Sequence, residues 1–114
     1  MTRYNRGDVI LVPFPFSDQT VTKKRPAVIV SSDKYNVISQ DIVIMAITGQ
    51  MRGRLGVGEF LIEDWQAAGL LKPSAVKSAI STIEQSLVLK LLGRFSSEDL
   101  STLEKALKEP LDLR

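Results

Sequence analysis

The chain contains neither histidine nor cysteine. These two absences remove most familiar catalytic arrangements. A Ser-His-Asp triad, a Cys-His pair, the usual imidazole or thiolate zinc site and a disulfide framework all need missing residues. Chemistry is left to Arg, Lys, Asp, Glu, Tyr, Ser, Thr and backbone groups. The cations are grouped, with Lys23-Lys24-Arg25 consecutive and Arg52 and Arg54 in the glycine-rich stretch from Gly49 to Gly56. A guanidinium donates in a fork to two phosphate oxygens, and an ammonium acts as a point charge. Such groups suit a polyanion held with salt-sensitive affinity. On charge alone the same clusters also read as solvated loops. Phe14, Phe16 or Tyr35 offers a face for base stacking, although Pro13-Phe14-Pro15-Phe16 reads equally as core or dimer packing. Asp18 and Glu84 are available as general bases and read equally as surface charges.

Charge distribution points the same way. Residues 1–95 carry 12 Lys+Arg against 8 Asp+Glu, whereas residues 96–114 carry 3 against 5. A basic body followed by an acidic tail favours a polyanionic partner. A length of 114 residues suits one domain, taken as 1–114, and one modest core. No apolar run approaches the ~20 residues that span a bilayer, and Met1-Thr2-Arg3-Tyr4-Asn5-Arg6 lacks the apolar segment of a secretory signal. The expected location is therefore cytoplasmic.

These groups must be positioned by short strands. Val9-Ile10-Leu11-Val12 is the first, set up by Gly7-Asp8 and expected to stop at Pro13, because proline cannot donate to a ladder. Ser17 to Lys24 reads as a polar loop. Ala27-Val28-Ile29-Val30 is a continuous β-branched run, consistent with burial on both faces, closed by Ser31-Ser32-Asp33. Asp41 to Thr48 is a third strand and Gly58 to Glu63 a short fourth. Asp64 to Gly69 reads as one or two helical turns with Asp64 as N-cap, and Trp65 as a packing anchor. Ala75 to Ile83 is a further strand, and Leu87 to Leu92 fits strand or helix. Leu100, Leu103 and Leu107 share one face of a last helix, opened by a box of Ser96 and Asp99 and stopped at Pro110. The pattern predicts a mainly β, α+β chain: a small twisted barrel with a C-terminal helix and functional loops along one rim.

Three segments in this order resemble the PemK/MazF toxin family. They are Gly7-Asp8-Val9-Ile10-Leu11-Val12-Pro13-Phe14, Arg25-Pro26-Ala27-Val28-Ile29-Val30-Ser31 and Ile44-Met45-Ala46-Ile47-Thr48-Gly49-Gln50. Ala68-Gly69-Leu70-Leu71-Lys72-Pro73-Ser74 and the final helix resemble the later part of these toxins, so the similarity spans nearly the whole chain. The resemblance implies an SH3-like barrel that forms a homodimer. It also implies sequence-selective cleavage of single-stranded mRNA without a metal or other cofactor, and a labile antitoxin whose tail covers the active groove. The family's catalytic arginine and threonine map onto Arg25 and Thr48. The residues expected to contact RNA are Lys23, Lys24, Gln50, Arg52, Arg54 and Lys77. A further basic position of the family falls on Lys77 in one register and on Ser81 in another.

The implied chemistry suits this residue inventory. RNA carries its own nucleophile: the 2′-OH attacks the adjacent phosphorus and expels the 5′-oxygen, leaving a cyclic phosphate and a free 5′-hydroxyl. An arginine can stabilise the phosphorane charge, and a threonine hydroxyl can align the attack. Two other readings fit the same resemblance. One is a non-catalytic toxin of this fold that binds a protein such as gyrase. The other is an inactive relative that binds only RNA or an antitoxin.

Overall fold

The computed structural model describes residues 3–15, 22–50 and 53–111. Six antiparallel strands curl into a half-barrel in the order β4-β5-β3-β2-β1-β6. They are β1 (Asp8–Pro15), β2 (Thr22–Ile29), β3 (Asp41–Thr48), β4 (Phe60–Leu61), β5 (Ala75–Glu84) and β6 (Lys90–Arg94). Two helices, α1 (Asp33–Ile38) and α2 (Ser97–Leu111), and a 3-10 turn at Gln85–Leu87 complete the chain. The expected mainly β chain with a C-terminal helix is what is found.

The alternating strands bury both faces. On one face Val9, Val28, Met45, Ile47 and Val76 pack with Phe60, Phe95 and Leu103, and Trp65, Leu100 and Leu107 lie against them. On the other face Ile10, Val12, Ala27, Ile29, Ile42 and Ile44 form a second cluster with Tyr4, Ile83 and Val88. Burial on both sides explains the unbroken apolar run of β2.

Several boundaries differ from the sequence expectation. Strand β1 continues through Pro13 to Pro15, where Pro13 pairs with Lys24. β6 covers β1 only from Asp8 to Leu11. Beyond that point β1 is an edge on one side, where a missing N–H is tolerated. Strand β2 begins at Thr22, so Lys23 and Lys24 lie in the ladder and not in a loop. Helix α1 was not anticipated; it is one short segment capped by the Ser32 hydroxyl, which accepts from Tyr35 N–H. Residues 63–69 form hydrogen-bonded turns in place of a helix. The 58–63 strand shrinks to two residues, and the ambiguous 87–92 run divides between the 3-10 turn and β6. Helix α2 runs one residue past Pro110, within the fraying of a last turn.

Helix α2 opens as expected, with the Ser96 hydroxyl accepting from Asp99 N–H at 3.2 Å. Asp99 has a second task. Its buried carboxylate accepts from the backbone N–H groups of Glu63 (3.0 Å) and Asp64 (2.8 Å), fastening the 63–69 turn to the helix. At the other end of this turn Gly69 has φ +78°, and a Cβ there would overlap the Leu92 carbonyl oxygen. The turn is thus pressed against β6, and the following segment, Leu70 to Ser74, returns toward the end of β3. No helix among the described residues is long and apolar enough to cross a membrane.

Candidate nucleic-acid interface

Ala27 pairs with Ala46 and Ile29 with Ile44 across the β2–β3 ladder. Arg25 and Thr48 each lie two residues beyond the last of these pairs, at the same end of the sheet. Arg25 and Thr48 are both half-buried. They come from strands running in opposite directions, which is why residues distant in sequence meet at one end of the sheet.

Beside this pair lies a groove of about 900 Å³. Its charged lining is cationic throughout: Lys23, Lys24 and Arg25 from β2, Lys72 from the segment before β5, and Lys90 from β6. No carboxylate lines it among the described residues. Leu11, Pro26, Ile47, Leu70 and Leu92 supply apolar wall. An apolar trough edged by like charges focuses an attractive potential on a polyanion with apolar faces. Lys72 and Lys90 were not singled out from the sequence; each is an isolated lysine there, and only long-range packing brings it to the groove.

Thr48 faces an adjoining narrow crevice, which it shares with Gly53, Arg54, Leu55, Glu59, Ala75 and Lys77. Gln50 lines both spaces. The Thr48 hydroxyl accepts from Gln50 N–H at 3.1 Å and lies 3.4 Å from the Gln50 carbonyl, to which it donates. This closes a tight turn at the end of β3. Arg52 lies outside the described residues, as do Phe16 and Asp18.

A bulge shapes the crevice. Between the pairs Met45–Ile80 and Ile47–Val76, β3 spends only Ala46 where β5 spends Lys77, Ser78 and Ala79. Bulged residues leave the ladder and re-aim their groups. Glu59 gathers them in: its carboxylate lies 3.3 Å from Lys77 Nζ and accepts from Ser78 N–H at 3.4 Å and Gly56 N–H at 2.8 Å. The Gly56 donation, opposed by burial and aided by Lys77 and Ser78, holds the Glu59 carboxyl below the usual carboxylate range. Of the two register positions, Lys77 lines the Thr48 crevice, whereas Ser81 pairs with Ile44, farther down the strand.

Two sequence candidates do not reach this end. Glu84 pairs with Asp41, at the opposite end of β3 from Thr48. Seven residues at ~3.3 Å each separate them by roughly 23 Å, so Glu84 cannot serve as a base there. Tyr35 sits on α1, which follows the far end of β2.

The sequence profile of PemK-like, MazF-like toxins of type II toxin-antitoxin systems matches residues 5–111. The chain belongs to this family. No curated protein sequence matches it. Among solved structures it is similar to an endoribonuclease in complex with its cognate antitoxin from a mycobacterial species, with a TM-score of 0.77 and 19% identity over 100% of this chain and 98% of the other. The Mycobacterium tuberculosis toxin MazF-mt6 gives 0.75 at 19% identity, covering 94% of this chain and 98% of the other. A chain of the MazE-MazF crystal structure (Form-III) from Deinococcus radiodurans gives 0.76 at 15% identity, covering 99% of this chain and 100% of the other. At these identities the likeness is one of fold, and this MazF-like chain must be argued from its own side chains.

Proposed function

We propose that this PemK/MazF-family toxin is a metal-independent endoribonuclease that cuts single-stranded mRNA in a sequence-selective way. The observation that supports the reading is that β2 and β3 bring Arg25 and Thr48 to one end of the sheet, beside a groove whose charged lining, among the described residues, is entirely cationic.

The RNA strand lies in the groove with one phosphodiester over the Arg25–Thr48 pair. Its 2′-OH attacks the phosphorus and the 5′-oxygen leaves, so no group external to the RNA is needed as nucleophile. The Arg25 guanidinium donates to two non-bridging oxygens as charge builds on them. Donors of this kind are each worth about 10²–10³ in kcat. The Thr48 hydroxyl exchanges its contact with Gln50 for the 2′-OH or a phosphate oxygen and fixes the line of attack. Lys23, Lys24, Gln50, Arg52, Arg54 and Lys77 are assigned to the flanking nucleotides. The active form is a cytoplasmic homodimer, and the natural inhibitor is a cognate antitoxin whose extended tail occupies the same groove.

The test is incubation of purified protein with single-stranded RNA in excess EDTA, followed by end-group analysis. Products ending in a 2′,3′-cyclic phosphate and a 5′-hydroxyl are expected. Arg25→Ala should lower kcat about 10²–10³-fold while leaving the circular dichroism spectrum unchanged. Equal cleavage by both proteins would assign the activity to a contaminant. Intact RNA together with inhibited DNA supercoiling would replace the ribonuclease by a protein-binding toxin.

A further inference from the structure

Gly49 follows Thr48 at the end of β3. It lies outside the left-handed region of backbone space, so the conformation there would admit any residue. Space, however, would not. A Cβ built on Gly49 would overlap Lys72 Cε and stand 3.1 Å from Nζ and 3.2 Å from Cδ. The Lys72 stem therefore lies across the bare backbone of Gly49. Its ammonium stays beside Gly49, although Lys72 is otherwise exposed. A lysine normally keeps several stem rotamers in solvent and loses that entropy when ordered. A stem laid on glycine begins with part of that freedom removed.

The neighbourhood says what this ammonium is for. Lys72 lines the same groove as Arg25, and the charged residues of that lining, among the described residues, are all cations. Lys77 differs, being held by Glu59 at 3.3 Å in the adjoining crevice. We infer that Lys72, held in place by the absence of a side chain at Gly49, is a phosphate-anchoring residue that grips the RNA backbone on the groove side of Arg25. This rests on the ribonuclease reading for the identity of the polyanion, but not for the contact itself. The ligand chemistry is one phosphodiester of a single strand, and the role is binding and alignment, without proton transfer.

The experiment separates the contact from the reaction. Binding is measured with a substrate-length oligonucleotide carrying 2′-deoxy sugars, which cannot be cut by 2′-OH attack, across a range of salt concentrations. Cleavage of the corresponding RNA is followed in parallel. Lys72→Ala is expected to weaken binding about 10-fold and to reduce the slope of log Kd against log salt by about 0.7, the increment for one phosphate of a single strand. In cleavage the loss should appear in KM, with kcat nearly unchanged. Gly49→Ala, which need only push aside a flexible stem, should produce most of the same loss in otherwise wild-type protein. It should add almost nothing in the Lys72→Ala background, since the two changes then remove one interaction. Lys105→Ala on α2 controls for loss of net charge. An unchanged salt slope in Lys72→Ala, or a Gly49→Ala penalty equally large in both backgrounds, overturns the inference. Wild-type protein that binds the oligonucleotide through Lys72 but leaves RNA intact would overturn the ribonuclease reading and leave this contact standing.

Discussion

Glu59 is the carboxylate that lines the Thr48 crevice, and its environment suits it to structure better than to proton abstraction. Three donors converge on it, and they lower its affinity for protons, the opposite of the tuning that prepares a carboxylate base for neutral pH. Its contribution is to tie the 53–59 loop to the bulge of β5. A carboxyl held below its unfolded value contributes stability that is present above the unfolded pKa and disappears as pH falls through the folded one. Glu59→Gln should therefore melt below wild type at pH 7, and the gap should narrow as acidification passes below the usual carboxylate range. Thermal unfolding at pH 7 and 3.5 measures this. The legibility of single residues varied with how local their placement is. Lys23, Lys24 and Arg25 are adjacent in sequence, so their clustering was readable. Lys72 and Lys90 are isolated, and nothing in a one-dimensional reading sets one lysine across Gly49 and brings the other to the same groove. Glu84 was a plausible base until its pairing with Asp41 fixed it at the wrong end of β3.

At the scale of elements, the 63–69 turn determines whether the groove has a wall. It is fastened at one end by Asp99 and at the other by the close approach of Gly69 to β6. A left-handed backbone disfavours an L-residue by roughly 1–2 kcal/mol, and at Gly69 the added methyl would also meet a carbonyl that cannot rotate away. Gly69→Ala should lower Tm by about 4–8 °C per kcal/mol lost. It should also weaken oligonucleotide binding more than an equally destabilising core change such as Ile42→Val. Differential scanning calorimetry and a titration on the same samples test both parts. Strand β3 was legible to the residue because strong β-formers fill it and polar segments bound it. Strand β1 was misjudged because a proline was treated as a stop, when the one-sided coverage by β6 is what permits it. Helix α1 escaped notice because six residues, Asp33 to Ile38, carry no helical apolar period; its Ser32 cap was the one local sign.

At the scale of the whole molecule, charge is segregated by topology. Cations from β2, from the segment before β5 and from β6 converge on one groove, while the acidic excess of residues 96–114 falls in the C-terminal part of the chain. If three to five of these cations meet phosphates, log Kd should rise with log salt with a slope of about 2–3.5 for a single strand. Fluorescence anisotropy between 50 and 300 mM salt measures it; a slope near zero would mean that the groove does not take a polyanion.

The pairing of β1 with β6 carries a consequence for how such a protein comes into being. Strand β1 must wait for β6, which lies far along the chain from it, and Lys90 and Leu92 arrive only with that partner. Closure of so distant a pair is slow compared with local hairpins. A growing polypeptide still short of residue 90 thus has one bank of the channel missing.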